Sequence, residues 1–182
     1  MITNLNKTDI VISISNLNVT RGKSEVLTNF DLDIDKGSIT GLLGPSGCGK
    51  TTLMRSIVGL QIIKSGNIQV LCRKAGSLEV RERLGYMSQS PAVYTDISVL
   101  ANLKYFASIS NASSTRVNEV LDLVELSSHK DSLVGNLSNG QKARVSLGIA
   151  LLPSPEILIL DEPTVGLDPL LRERLWSVFG NL

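Results

Sequence analysis

Eight residues, Gly44-Pro-Ser-Gly-Cys-Gly-Lys-Thr51, constrain this chain more than any other stretch. Their spacing is G-x-x-x-x-G-K-[ST], a pattern that cradles phosphates. Gly44, Gly47 and Gly49 permit backbone angles that turn consecutive N–H groups inward on an oxyanion. Pro45, Ser46 and Cys48 complete the turn. The apolar run 38–43 before it predicts a strand, and Leu53, Ile57 and Leu60 after it fall at helical spacing. The turn therefore opens a helix whose positive end adds to the anion site. Lys50 can reach the β- and γ-phosphates, the Thr51 hydroxyl can ligate Mg²⁺, and the Thr52 N–H can reach the α-phosphate. The competing reading is a glycine-rich turn with a solvated lysine. Cys48 has no histidine nearby to activate it and reads as a small loop residue.

The rest of the chain sets limits. Its 182 residues suffice for one domain, or one domain with a small insert. Lys and Arg number 18 against 17 acids, so no global field points to nucleic acid. The two cysteines, Cys48 and Cys72, are too few for a disulfide framework and suit a reducing compartment. The first ten residues are polar, and no apolar run approaches the roughly 20 residues of a spanning helix. These features predict a soluble, cytosolic chain that reaches a membrane only through a partner.

Along the chain, "IVISI", a turn at Arg21-Gly22-Lys23, and the alternation of Phe30, Leu32 and Ile34 with Asp31, Asp33 and Asp35 predict strands. "GNIQVLCRKAG" reads as a hairpin arm. Three apolar stripes predict helices: Leu100, Leu103 and Ala107; Val117, Val120, Leu121 and Val124; Ala143, Leu147, Ala150 and Leu151. Ser138 is placed to cap the third. Ile157-Leu158-Ile159-Leu160 reads as a strand buried on both faces. Leu171, Leu175, Val178 and Phe179 suggest a last helix. The order is α/β: an N-terminal core segment at 1–90, a helical subdomain at 91–153, and a second core segment at 154–182.

Asp161 and Glu162 follow the apolar strand, at the edge where α/β sheets bind ligands. Asp161 can hold Mg²⁺ through water, since Mg²⁺ keeps part of its hydration shell. Glu162 faces elsewhere and can polarise a water for attack on a γ-phosphate. Two solvated acids are the alternative for this pair taken alone.

Together these residues resemble the ATP-binding cassette of ABC transporters. Gln89, in "YMSQS", stands where the family has its Q-loop glutamine. "LSNGQ", Leu137–Gln141, resembles the signature Leu-Ser-Gly-Gly-Gln, with Arg144 following. "ILILDEP" resembles the second nucleotide motif, and "GLDP", Gly166–Pro169, the D-loop with Asp168. The resemblance runs from about residue 10 to 182. It implies a P-loop NTPase fold of ABC type, with a mixed sheet core, antiparallel N-terminal strands and a helical subdomain. It implies ATP and Mg²⁺ as cofactors, with Thr51, Gln89 and Asp161 around the metal and Lys50, Gln89 and Glu162 in catalysis. It also implies a second cassette, identical or not, stacked head to tail. Ser138, Asn139, Gly140 and Gln141 then serve the partner's ATP, and Asp168 touches the other subunit. A separate permease would hold the chain to the cytoplasmic face of a membrane; no nucleic acid is implied. The segment 90–107 and "DPLLRERLW" resemble the branch that exports drugs, polyketides and antibiotics. A soluble ATPase uncoupled from transport, and a binding-only cassette, are the alternatives.

Two positions and the ending depart from the pattern. Asn139 replaces the first signature glycine. Arg21 stands where the family stacks an aromatic on adenine. The chain stops before the strand that carries the family's switch histidine, and its one histidine, His129, precedes the signature in a polar segment that reads as surface. A truncated cassette that binds ATP but turns it over slowly is the expectation from that ending.

Overall fold

The computed structural model describes residues 10–162, in two units that divide between Arg81 and Glu82. The last helix suggested by the sequence and the Gly166–Pro169 stretch lie outside the described residues.

The first unit is built on a long hairpin. β1 (Ile10–Arg21) and β2 (Ser24–Asp35) run antiparallel from Ile10 opposite Asp35 to Arg21 opposite Ser24. Gly22, at φ 60°, makes the turn. Phe30, Leu32 and Ile34 are half-buried while Asp31, Asp33 and Asp35 are exposed, as their alternation predicts. β3 (Ser65–Val70) pairs with the other edge of β1, and β4 (Arg73–Lys74) closes the hairpin predicted there. The sheet order is β2-β1-β3-β4.

The long hairpin is not regular. Its register shifts between Ile14 and Leu17, and Asn16 and Asn29 take left-handed angles of φ 49° and 46°. Asparagine tolerates that region better than most residues. The side chain of Asn18 ties the irregularity together. Its Nδ2 donates to the Asn16 carbonyl at 2.8 Å, and its Oδ1 accepts the Asn29 N–H at 2.9 Å.

α1 (Lys50–Val58) buries Leu53 and Ile57. Gly59, at φ 80°, ends it, and the N–H groups of Gly59 and Leu60 bond back to Ser56 and Arg55. Leu60, expected on the same stripe, therefore falls past the helix and is exposed. A Cβ on Gly59 would lie 2.3 Å from the Gly76 Cα, so only glycine fits this contact. The strand expected at 38–43 does not form, and Leu43 is 96% exposed. Extended chain becomes a strand only where a neighbour takes its backbone hydrogen bonds, and no described strand pairs with this run. α2 (Leu78–Arg81) completes the unit.

In the second unit β5 (Leu84–Met87) and β6 (Ile157–Leu160) pair in parallel, Leu84 opposite Ile157 and Met87 opposite Leu160. The double-sided burial expected of β6 is not reached: Ile159 is buried, and Ile157, Leu158 and Leu160 are half-buried. β5 is its one partner among the described strands, which leaves the far edge without a covering neighbour there. α3 (Val99–Ile109), α4 (Ser114–Leu123) and α5 (Asn139–Leu151) enclose the core around Leu103, Val120 and Leu147. The three predicted stripes supply it, with Leu100 half-buried at its margin. Ser98, Ser113 and Ser138 cap these helices, each accepting an N–H from the first turn.

Backbone bonds from Val99 to Ser132, Leu100 to Lys130, Val134 to Ile97 and Gly135 to Thr95 fasten the start of α3 to the segment before α5. The residues after Gln89 and those before Ser138 are thereby held as neighbours.

Candidate functional site

The glycine turn has the angles its sequence requires. Gly44, Gly47 and Gly49 have φ of 156°, 81° and 100°. A Cβ on Gly44 would come within 2.7 Å of the Cys48 Sγ, and one on Gly49 within 3.1 Å of Val26. The turn ends at Gly49, the N-cap of α1, which offers no side-chain oxygen, and the first turn of the helix holds no acid. The N-terminal N–H groups and the positive end of the helix thus face the loop without a compensating side chain. Lys50 folds back over the turn, and its Nζ donates to the carbonyls of Gly44 at 2.7 Å and Pro45 at 2.9 Å. Ser46 and Cys48 are exposed on the turn, Thr51 is half-buried, and Thr52 is buried in the first turn of α1. Phosphate oxygens fit such a cradle: it offers donors, a cation and little side-chain bulk.

The second unit positions two further groups. Asp161 is 2% exposed, and its N–H donates to the Met87 carbonyl at 2.9 Å, which anchors the end of β6 on β5. Glu162 follows at φ 55°, an unfavourable angle for glutamate. The angle swings its side chain to Gln89, whose Nε2 donates to the Glu162 Oε2 at 2.8 Å. Gln89 and Glu162, 73 positions apart, are thus in contact. That contact turns the Gln89 nitrogen towards Glu162 and leaves the Gln89 Oε1 as an acceptor.

Mg²⁺ prefers oxygen ligands and usually takes one or two carboxylates plus phosphate rather than a protein cage. The Thr51 hydroxyl in the first unit, and the Gln89 amide oxygen and buried Asp161 carboxylate in the second, are each oxygen donors of that kind. Among the described residues no cluster of three or more His, Cys, Asp or Glu could hold a metal by itself.

Ser138, Asn139, Gly140 and Gln141 form the head of α5. Ser138 and Gln141 close a reciprocal capping box: the Ser138 Oγ accepts the Gln141 N–H at 3.2 Å, and the Gln141 Oε1 accepts the Ser138 N–H at 2.9 Å. The Ser138 hydroxyl keeps its proton for another acceptor. Asn139, standing in place of a glycine, is the first residue of the helix and needs no left-handed angle. Asp168 lies outside the described residues.

Two contributors are invisible in sequence spacing. Asn102, fully buried on α3, bonds to Tyr94 and Ser98 and shapes the loop after Gln89. Its only sequence signal is an amide among apolar neighbours. Tyr94 carries the result to the surface, with its ring 5.2 Å from Tyr105 and 6.1 Å from Phe106. A hydrogen bond with Tyr105 raises the Tyr94 phenol above its ordinary pKa. The second is His129, expected at the surface. It is half-buried, and its Nε2 lies 3.1 Å from the Gln141 Nε2.

A sequence model of the family described as ABC transporter matches residues 27–165. The chain belongs to this family. It is 36% identical to ABC transporter G family member 20 of Dictyostelium discoideum over 95% of its own length, and spans 24% of that protein. It is 37% identical to a probable sulfate/thiosulfate import ATP-binding protein, CysA, of Chlorella vulgaris, covering 91% of this chain and 72% of the relative. It is 36% identical to the Nod factor export ATP-binding protein I of Cupriavidus metallidurans, covering 94% of this chain and 59% of the relative. A dimeric ATP-binding cassette solved in a post-hydrolysis state with ADP and Pi superposes with a TM-score of 0.82, at 24% identity, over 92% of this chain and 80% of that one. The fold is therefore the P-loop ATPase fold of ABC type: a mixed sheet core with antiparallel N-terminal strands, and a helical subdomain. Among the described residues of this ABC family chain, no helix is long and apolar enough to cross a membrane.

Proposed function

We propose that this chain binds and hydrolyses ATP as one of two cassettes stacked head to tail, and that it powers a separate permease from the cytoplasmic face of a membrane, in the direction of export. The observation that carries the reading is the three-glycine turn on the uncapped head of α1, with Lys50 folded over it.

In this reading Gly44–Thr52 take the phosphates of ATP. Lys50 exchanges the carbonyls of Gly44 and Pro45 for β- and γ-phosphate oxygens. Mg²⁺ would be held by Thr51, Gln89 and, through water, Asp161, and would neutralise charge on the phosphates. Glu162 takes a proton from water as the water oxygen bonds to the γ-phosphorus and the bond to the bridging oxygen of ADP breaks. The products are ADP, phosphate and a proton. Gln89 holds the Glu162 carboxylate by one oxygen and leaves the other to act as base. Positioning and electrostatics supply most of the rate in such transfers.

Ser138, Asn139, Gly140 and Gln141 meet the ATP of the second cassette, and Asp168 adds to that interface. The free Ser138 proton and the N-terminal dipole of α5 suit a γ-phosphate. The neighbour solved as a dimer with ADP and Pi supports the paired arrangement. The domain bounds of this reading are a core at 1–90, a helical subdomain at 91–153 and the remaining core at 154–182. Export rests on the likeness of the segment after Gln89 to the exporter branch and on the relative named for Nod factor export; the relative named for sulfate import is similarly close.

Titration with a fluorescent ATP analogue, followed by phosphate release, tests the nucleotide reading; absence of binding overturns it. ATP-driven uptake instead of efflux, in proteoliposomes carrying the chain with its permease, overturns the direction.

A further inference from the structure

The capping box at the head of α5 is held from outside by a side chain with no role in the reading so far. The Gln141 Oε1 is committed to the Ser138 N–H. Its amide nitrogen is therefore the end that faces the Nε2 of His129, 3.1 Å away. A carboxamide nitrogen only donates, so the His129 Nε2 must accept. The ring proton then sits on Nδ1, which lies 2.9 Å from the Ser128 Oγ, an available acceptor. The Ser138 N–H, which can only donate, sets the direction of the chain: it donates to Gln141, the Gln141 amide to the His129 Nε2, and the His129 Nδ1–H to the Ser128 hydroxyl.

The ring is held at a rigid place. His129 ends a 3₁₀ turn, Ser127–His129, with Leu126 before it 1% exposed and Val134 after it fully buried. Between them the Lys130 and Ser132 carbonyls bond to the first turn of α3. The imidazole is thus tied to the core of the helical subdomain and not to the end of a loose loop.

We infer that His129 is a positioning residue: as the neutral Nδ1–H tautomer it fixes the orientation of the Gln141 amide and with it the Ser138–Gln141 capping box. Its consequence for catalysis rests on the reading of residues 138–141 as a clamp on the partner's ATP. A Gln141 amide turned the other way would lose the Ser138 N–H and free the first residues of α5. As the Nδ1–H tautomer His129 opposes that turn, because the carboxamide oxygen would then face the Nε2 lone pair; only a shift of the ring proton to Nε2 would accommodate it.

The chain has a single histidine, so ¹⁵N spectra of the imidazole report on His129 alone. A protonated Nδ1 with a bare Nε2 is expected, and the opposite tautomer overturns the inference without any mutation. H129L removes the acceptor, and H129Q restores one through its Oε1. The Ser138 and Gln141 amide signals should move in H129L and return towards their original places in H129Q; signals that ignore H129L also overturn it. In an E162Q background, H129L should raise the ATP concentration needed for self-association by about two- to tenfold, the range for losing one neutral hydrogen bond. H129Q should recover most of that loss, while ATP affinity of the isolated cassette stays unchanged. If the amide signals respond as expected and self-association does not, the positioning of Gln141 stands and the reading of 138–141 as a clamp falls.

Discussion

Replacing Asn102 by alanine is expected to destabilise the helical subdomain by about 2–3 kcal/mol. Asn102 is fully buried, so its polar atoms rely on protein partners. Its Oδ1 accepts the Tyr94 N–H at 2.9 Å, and its Nδ2 donates to the carbonyls of Tyr94 at 2.9 Å and Ser98 at 3.1 Å. Three neutral bonds at about 1 kcal/mol each set the ceiling. The Ser98 carbonyl keeps a second donor, the Asn102 backbone N–H at 2.9 Å, so its loss is partial. Tyr94 is half-exposed, and water can replace some of what its backbone loses. Thermal unfolding followed by circular dichroism should show a fall in Tm of roughly 8–20 °C for a unit of this size. The Tyr94 amide should also lose hydrogen-exchange protection. Asn102→Asp is the sharper control. It keeps the acceptor for the Tyr94 N–H but points a carboxylate at two carbonyls, and it should be worse than alanine. An aspartate variant more stable than the alanine variant would refute the reasoning, as would an alanine variant within about 0.5 kcal/mol of the parent.

Lys50→Ala should lower ATP affinity by about ten- to hundredfold, the cost of one or two charge-assisted contacts, and calorimetric titration reads it directly. Glu162→Gln should keep ATP binding and abolish phosphate release, since the amide retains the shape and loses the base; turnover at the parental rate sinks the assignment. Gly135→Ala should cost about 1–3 kcal/mol in urea unfolding, because the new Cβ would lie 2.9 Å from the Thr95 carbonyl that accepts the Gly135 N–H. Glu79, exposed, has its carboxyl lowered by a backbone hydrogen bond, then by the Ser77 hydroxyl and Arg73. A lowered acid stabilises above its unfolded pKa and loses that contribution as pH falls through the folded value. Glu79→Gln should therefore flatten the stability profile on the acid side of the carboxylate range.

What could be read in advance was local in the chain. The glycines of the turn, the apolar stripes of α3, α4 and α5, and the alternation along β2 are each fixed by spacing within one element, and the structure follows them. Leu60 missed because Gly59 ends the helix first, although the apolar period continues. The run 38–43 missed for a different reason. Strand formation depends on partners far away in sequence, and apolar content alone does not supply a ladder. His129 is the same lesson among side chains. Its contact with Gln141 crosses 12 positions and the 3₁₀ turn Val134–Asn136. No periodicity encodes that, and a histidine among polar residues reads as surface until the backbone is placed.

The heads of α1 and α5 show why two helix N-termini in one chain need different chemistry under the proposed function. α1 has no cap and no acid in its first turn, and glycine conformations deliver its N–H groups. An anion there substitutes for the cap, so binding and helix completion are one event. That suits a nucleotide held by its own cassette, with Lys50 returning to the loop carbonyls when the site empties. α5 is capped already by Ser138 and Gln141. It can give a phosphate only what the cap leaves over: the Ser138 hydroxyl proton, the remaining N–H groups and the dipole. Such a head stays ordered without ligand and binds weakly by itself. Weak, preformed contact suits a clamp that must close on a partner's ATP and release after hydrolysis. Ser138→Ala separates the two designs. It removes the hydroxyl donor and a cap worth about 1 kcal/mol. ATP affinity of the single cassette should then be unchanged, while ATP-driven pairing in the E162Q background weakens by more than H129L weakens it. Equal loss of single-cassette ATP binding in S138A would place residues 138–141 on the chain's own nucleotide and refute the division of labour between the two helices.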